Sequence, residues 1–209
     1  MFERMPSSET EPLDSLLYLP PQSRLGMATA VDSIRRAVFL DRDGAIVEEI
    51  NYLTDPSDLT LLPGSVEGIR VLQEQFLIVI VTNQSAVARG WLSREKLLQI
   101  HQALDSMLEQ HGALLDAILT CPHRPGARCP CRKPAPGMLY RARDEFKVRL
   151  DRSFLIGDKG SDILAGQRAG VQATIVVPSY QTAASLGDAI PDHTASDLHD
   201  AARWILEQT

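Results

Sequence analysis

Val38-Phe39-Leu40-Asp41-Arg42-Asp43-Gly44 (VFLDRDG, 38–44) is the stretch on which the fold of this 209-residue chain turns. Its first half, with Ala37 before it, is an unbroken apolar run too short for a helix, as in a strand buried on both faces. Its second half places two carboxylates directly after that strand. Working outward, Ser65–Gln75 has helical periodicity, and Leu77–Val81 (LIVIV) is a second, stronger strand candidate followed by Thr82-Asn83-Gln84-Ser85. Ser93 reads as the N-cap of a helix running to His111, with Leu97, Ile100, Leu104, Met107 and Leu108 as its apolar stripe. Ala117–Leu119 is a short strand, Gly137–Phe146 a helix, Ser153–Ile156 a strand, Ser161–Ala169 a helix and Ala173–Val177 a strand. Ser196–Glu207 closes the chain as a helix, with Leu198, Ala201, Trp204 and Ile205 towards the core. Such alternation predicts an α/β fold, a Rossmann-like parallel sheet with helices on both faces. Ligands of such sheets sit beyond the carboxyl ends of the strands.

The residues after the strands therefore carry the chemistry. Asp41-Arg42-Asp43-Gly44 follows the first strand, Thr82-Asn83 the second, Arg132-Lys133 the loop beyond the third, and Gly157-Asp158-Lys159 the fourth, with Asp162 close behind. Each motif alone is an ordinary turn or a solvated charge. Together they place carboxylates, a hydroxyl and a lysine on one rim, the set that phosphoryl transfer requires. Carboxylates hold Mg²⁺, a hard cation, and lysine and hydroxyl groups stabilise the equatorial oxygens of the transferring group. An EF-hand reading of the first motif fails, because the glycine position of that loop would be Ile46.

All three cysteines, Cys121, Cys129 and Cys131, fall in one window with His123 among them. Three thiols cannot pair off, and one residue between the last two disfavours a disulfide framework. Three thiolates and an imidazole are the ligand set of a closed tetrahedral Zn²⁺ site, and the prolines and glycine of the window favour a compact loop that gains order from a metal. A DNA-binding zinc finger would need wider spacing and a basic helix after it. Four protein ligands leave no open position, so the expected zinc is structural and braces Arg132 and Lys133 beside it.

Composition narrows the rest. Lys and Arg total 21 against 27 Asp and Glu, a net charge of −6, which argues against a broad nucleic-acid footprint. No run approaches a membrane span, and the acidic, proline-containing start does not resemble a signal peptide. A cytoplasmic monomer acting on a small molecule, without nucleic-acid or membrane partners, is expected. Residues 1–34, with Pro6, Pro12, Pro20 and Pro21, read as a flexible or loosely packed extension, and residues 35–209 as a single domain. Trp91 and Trp204 read as packing residues, His101 and His111 as helix-surface or core residues, and Glu48-Glu49 as a solvated loop near the rim.

The strand-end motifs resemble those of the haloacid dehalogenase superfamily of phosphatases. VFLDRDG (38–44), VTNQS (81–85) with Ala88-Arg89-Gly90, CPH (121–123), CRKPAPGM (131–138) and IGDKGSD (156–162) are similar to one branch of it, the D-glycero-D-manno-heptose 1,7-bisphosphate phosphatases. Histidinol-phosphate phosphatases share most of these runs. The resemblance spans about Arg36 to Val177.

It implies that Asp41 is the nucleophile, forming an aspartyl-phosphate, and that Asp43 is the general acid and then base. It implies Mg²⁺ on Asp41, the Asp43 carbonyl and Asp158, with Thr82 and Lys133 stabilising the phosphoryl group. Asn51, Tyr52, Asn83, Gln84 and Ser85 would contact substrate, and Arg132, assisted by Arg89, would take its second anionic group. It also implies a structural zinc on Cys121, His123, Cys129 and Cys131. Ala45 departs from the usual threonine after the acidic pair, and Ala86-Val87 from Gly-Ile. The stretch between Asp41 and Thr82 is too short for a large cap domain. The expected activity is Mg²⁺-dependent hydrolysis of a phosphorylated sugar, heptose 1,7-bisphosphate first, with histidinol phosphate as the alternative substrate. A non-catalytic binding module on the same fold would lack the nucleophile or the metal carboxylate, and both are present.

Overall fold

The computed structural model describes residues 15–26, 35–178 and 185–209. A seven-stranded sheet is built from β1 (Leu16–Tyr18), β2 (Ala37–Leu40), β3 (Leu77–Asn83), β4 (Ala117–Cys121), β5 (Phe154–Gly157), β6 (Ala173–Val176) and β7 (His193–Thr194). Their order across the sheet is β1-β4-β3-β2-β5-β6-β7. Pairing is parallel from β4 through β7, so all these strands deliver their carboxyl ends to one rim. The chain moves outward from β2 to β3 and β4, then returns to β5 on the other side. That reversal beside β2 makes the end of β2 the place where ligands bind in such sheets.

Alternate residues of the strands feed two cores, because successive side chains point to opposite faces. Val38, Leu40, Ile78, Ile80 and Ile156 face the layer formed by α1 (Ser65–Leu72), α2 (Arg94–Gln110) and α5 (Leu198–Glu207). Phe39, Val79, Val81 and Leu155 face α3 (Gly137–Phe146), with Ala165 of α4 (Gly160–Ala169) joining them. Burial on both faces is why LIVIV carries no alternation. The Ser93 hydroxyl caps α2 by accepting from the Lys96 amide at 3.1 Å, and the Asp197 carboxylate caps α5 by accepting from Asp200 at 2.8 Å. Between β2 and β3 lie only a short 3₁₀ turn and α1, so no cap domain is inserted there.

Two expectations need correction. Residues 1–34 are not uniformly a loose extension. Leu16–Tyr18 adds an antiparallel edge strand to β4, so the sheet is mixed rather than wholly parallel. Arg24 then forms an ion pair with the buried Asp116 and donates to the Phe76 carbonyl at 2.7 Å, while Asp116 also accepts the Ile78 amide at 2.7 Å. The physical reason is the edge itself: β4 would otherwise present unpaired amides and carbonyls, and Leu16, Leu17 and Tyr18 cover apolar side chains on both faces. The remainder of that stretch, 1–14 and 27–34, lies outside the described residues. The second correction is to strand length. β3 runs on through Thr82 and Asn83, and β4 includes Cys121, so these residues end strands instead of following them.

Candidate active site

At the end of β2 the Asp41 amide still donates to Ile156 O at 2.9 Å, holding the nucleophile position to β5. The chain then turns sharply, with Ile46 and Val47 amides both returning to Arg42 O. Gly44 has φ +88°, and a Cβ there would lie 2.4 Å from Asp158 Oδ2, so this turn needs glycine both for its conformation and for space. The close approach brings Asp158, at the end of β5, against the acidic pair of β2.

Lys133 is the positive centre of the site, although it is only 3% exposed. Its Nζ reaches Asp41 Oδ1 at 2.8 Å, Asp162 Oδ1 at 2.6 Å and Val81 O at 2.6 Å, so all three ammonium hydrogens have acceptors. Burial alone would push Lys133 down, but Asp162 and Asp41 outweigh it and hold the lysine above its ordinary value. Burial raises Asp162, and Lys133 offsets only part of that. The Lys133 backbone is fixed by Asn83, whose Oδ1 accepts its amide and whose Nδ2 donates to its carbonyl, each at 3.1 Å.

Asp43 is held from two sides. Arg42 Nε donates to its Oδ1 at 3.1 Å and Arg42 Nη2 to its Oδ2 at 3.0 Å. Gln84 Nε2 donates to Asp43 Oδ2 at 2.7 Å and to Thr82 Oγ1 at 2.8 Å. The acid–base candidate and the phosphoryl-oxygen candidate are thus joined through one amide.

Oxygens of Asp41, Asp158 and Asp162 lie within 4.8 Å of one another, all on buried residues. Such a set of hard anionic oxygens fits Mg²⁺, whose ligands stand at ~2.1 Å. Asp41 and Asp158 are the better placed pair, because Asp162 already serves Lys133 and the Lys159 amide, the latter at 3.1 Å. Lys159 reaches across to Glu49 at 2.6 Å. Burial lowers Lys159, but Glu49, Asp158 and Asp41 more than offset it and leave it raised.

A cavity of about 350 Å³ opens over these groups, and Asn51, Tyr52, Asn83, Gln84, Ser85 and Arg132 all line it. Asn83 and Gln84 spend their side chains on Lys133 and Asp43, an orienting arrangement that a substrate-contact reading alone does not anticipate. Arg89 is not on the cavity wall. Its guanidinium stacks over Trp91 at 5.0 Å and Tyr52 at 5.7 Å, one layer further out. Trp91 is 55% exposed, with its ring edge-on to Tyr52 at 4.7 Å, so it is not the packing residue expected. Trp204 is half-buried and stacks on His193 at 4.6 Å. His101 is a core residue, and burial with the nearby Arg42 charge holds it down to about 3, so it stays neutral. Arg42, Glu49, Lys159 and Asp162 also line the cavity but were not assigned roles from sequence.

The cysteine window closes on itself. Cys129 Sγ lies 3.7 Å from Cys121 Sγ and 3.6 Å from Cys131 Sγ, while His123 Nδ1 lies 3.3 and 3.2 Å from Cys121 and Cys131. Tetrahedral Zn²⁺ has S···S edges of ~3.8 Å and S···N edges of ~3.6 Å, so the four ligand atoms already stand near the required spacing. Arg132, next in the chain, donates to His123 O at 3.0 Å, tying the cavity wall to the cluster.

A family model described as HAD-hydrolase-like matches residues 130–201. The D-glycero-β-D-manno-heptose-1,7-bisphosphate 7-phosphatase of Pasteurella multocida is 34% identical over 179 residues, 82% of this chain and 97% of that protein. The enzyme of the same name from Vibrio cholerae is 35% identical over 178 residues, 81% of this chain and 96% of its own. The crystal structure of D,D-heptose 1,7-bisphosphate phosphatase from B. bronchiseptica, complexed with magnesium and phosphate, matches with a TM-score of 0.77 at 32% identity, covering 83% of this chain and 99% of that one. With similarity along nearly the whole length of these relatives and four strand ends converging on one cavity, this chain belongs to the haloacid dehalogenase-like phosphatases, in the branch of the heptose-bisphosphate phosphatases.

Proposed function

We propose that this enzyme removes the 7-phosphate of D-glycero-D-manno-heptose 1,7-bisphosphate. The observation that carries the reading is the layout of the cavity. Asp41, Asp43, Thr82 and Lys133 lie together on its wall, and Arg132 and Lys159 add further cations for a second anionic group. Mg²⁺ would be held by Asp41, Asp158 and the Asp43 carbonyl, and would supply charge neutralisation between carboxylate and phosphate. An Asp41 oxygen attacks phosphorus, the bond from phosphorus to the sugar oxygen breaks, and Asp43 gives that oxygen a proton. Thr82 Oγ1, which accepts from Gln84, gives its own proton to an equatorial oxygen, and Lys133 contributes its charge beside it. Water then attacks the aspartyl-phosphate and gives its proton to Asp43, so inorganic phosphate leaves and Asp41 is restored.

Parallel assays test the substrate. Heptose 1,7-bisphosphate should exceed histidinol phosphate in kcat/KM by ~100-fold or more, because the half-buried Arg132 and Lys159 then face a cationic amine in place of a second anion. A preference for histidinol phosphate overturns the assignment.

Zinc is proposed as the occupant of the cysteine cluster, in a reducing, cytoplasmic setting and a monomeric chain. Treatment with a strong chelator, followed by restoration of Mg²⁺ alone, should release one zinc per chain and lower Tm by about 5 °C or more. A stripped protein that keeps its Tm and its activity has no such zinc.

A further inference from the structure

We propose that Arg42, aided by Gln84, is the positioning residue for the acid–base carboxylate of Asp43. This deepens the mechanism above and rests on the assignment of Asp43 within it.

Arg42 is 1% exposed, the largest of the fully buried side chains. Taking a guanidinium out of water costs several kcal/mol, and an apolar residue of similar volume usually serves stability as well or better. Its partnership is therefore informative. Among the described residues, the one carboxylate that its side chain grips is Asp43, through two parallel N–H···O bonds of 3.1 and 3.0 Å. A fork of this kind fixes the plane of a carboxylate as well as its distance. Arg42 Nη1 is buried with no hydrogen-bond partner among the described residues, so the fork is not there to satisfy the arginine.

The backbone makes the grip rigid. The Arg42 amide donates to Asp41 Oδ1 at 2.8 Å, and its carbonyl accepts from both Ile46 and Val47. Arg42 thus touches the nucleophile with its main chain and the acid–base group with its side chain. Gln84 closes the other side of Asp43 at 2.7 Å and bonds Thr82 at 2.8 Å. Every proton transfer in the reaction passes through an oxygen whose position these two residues set. Displacements of ~1 Å at such a group cost ~100-fold.

The test separates positioning from mere support. Arg42→Lys keeps the charge and breaks the fork. A sugar phosphate leaves as an alkoxide and needs a proton; p-nitrophenolate leaves without one. In pre-steady-state measurements on the Mg²⁺-loaded enzyme, Arg42→Lys should slow phosphorylation by a sugar phosphate ~100-fold with KM within about threefold. The nitrophenolate burst should fall only about fivefold. In an Asp43→Asn background the same change should cost less than about threefold more, since the group it positions is gone.

Equal losses on both esters, or a full additional loss beside Asp43→Asn, overturn the inference. Should Arg42→Lys fail to fold, Gln84→Met carries the test, with about tenfold loss on the sugar ester and the same two criteria. If Asp43→Asn itself shows no dependence on the leaving group, the acid–base assignment falls and this inference with it. If Asp43→Asn shows that dependence and the Arg42 and Gln84 variants do not, the inference alone falls.

Discussion

Asp41→Asn should lower phosphate release by at least ~10⁴-fold and leave the fold intact. Losing a nucleophile typically costs ~10⁶-fold in kcat where no other group can take its place. Asp43 is clamped by Arg42 and Gln84, and Asp162 is engaged by Lys133, so neither is free to substitute. Asp158 serves as the proposed metal ligand on the far side of Gly44. The amide is nearly isosteric, and Lys133 keeps Asp162 as a counter-charge, so Tm should change little. Phosphate release from the sugar ester and from p-nitrophenyl phosphate, measured beside a thermal melt, decides the matter. Undiminished hydrolysis in a folded variant removes the aspartyl-phosphate from the mechanism.

Lys133→Met should act on both catalysis and stability. Loss of a preorganised cation at the transferring phosphoryl group costs ~10³-fold in kcat. The same change leaves Asp41 and Asp162 facing each other in a buried site, and breaking a buried pair this way costs about 3–5 kcal/mol. The sign of the pH dependence follows from the same contacts. In the native protein Lys133 lies above its unfolded value, so its contribution is fully present below about pH 10 and fades only at higher pH. In the variant the deficit comes from a buried carboxylate already raised by burial, and that penalty shrinks as protonation relieves it. Denaturation at pH 7 and pH 5 should show the variant recovering part of its loss at the lower pH. A variant equally stable at both, and as stable as the parent, would mean that this ion network is not a structural element.

How much of this was legible in the sequence depends on whether a residue's role is local. LIVIV and AVFL announce strands because burial on both faces leaves no polar position, and the groups after them can only reach the rim. The start of α2 follows from Ser93, whose hydroxyl caps it. The cysteine cluster was readable because its ligands are close in the chain. Leu16–Tyr18 was not, since three residues between prolines carry no periodicity, and what recruits them is the open edge of β4, far away in sequence. Arg42 gave no sign either: the residue between two acids looks like a solvated charge until the turn at Gly44 folds it inward. Asn83 and Gln84 were correctly drawn to the site, but side chains that hold Lys133 and Asp43 are distinguished from substrate contacts only by three-dimensional placement. Trp91 shows the opposite failure, an aromatic residue assumed to be core that stands in solvent beside Tyr52.

The two ends of the sheet have a consequence for the behaviour of the chain in a crowded solution. Its outermost strands are β1, with 3 residues, and β7, with 2. Among the described residues, a foreign strand docking by backbone pairing would find no long ladder to copy at either border. Protection against strand addition, among the described residues, comes from the shortness of the two border strands.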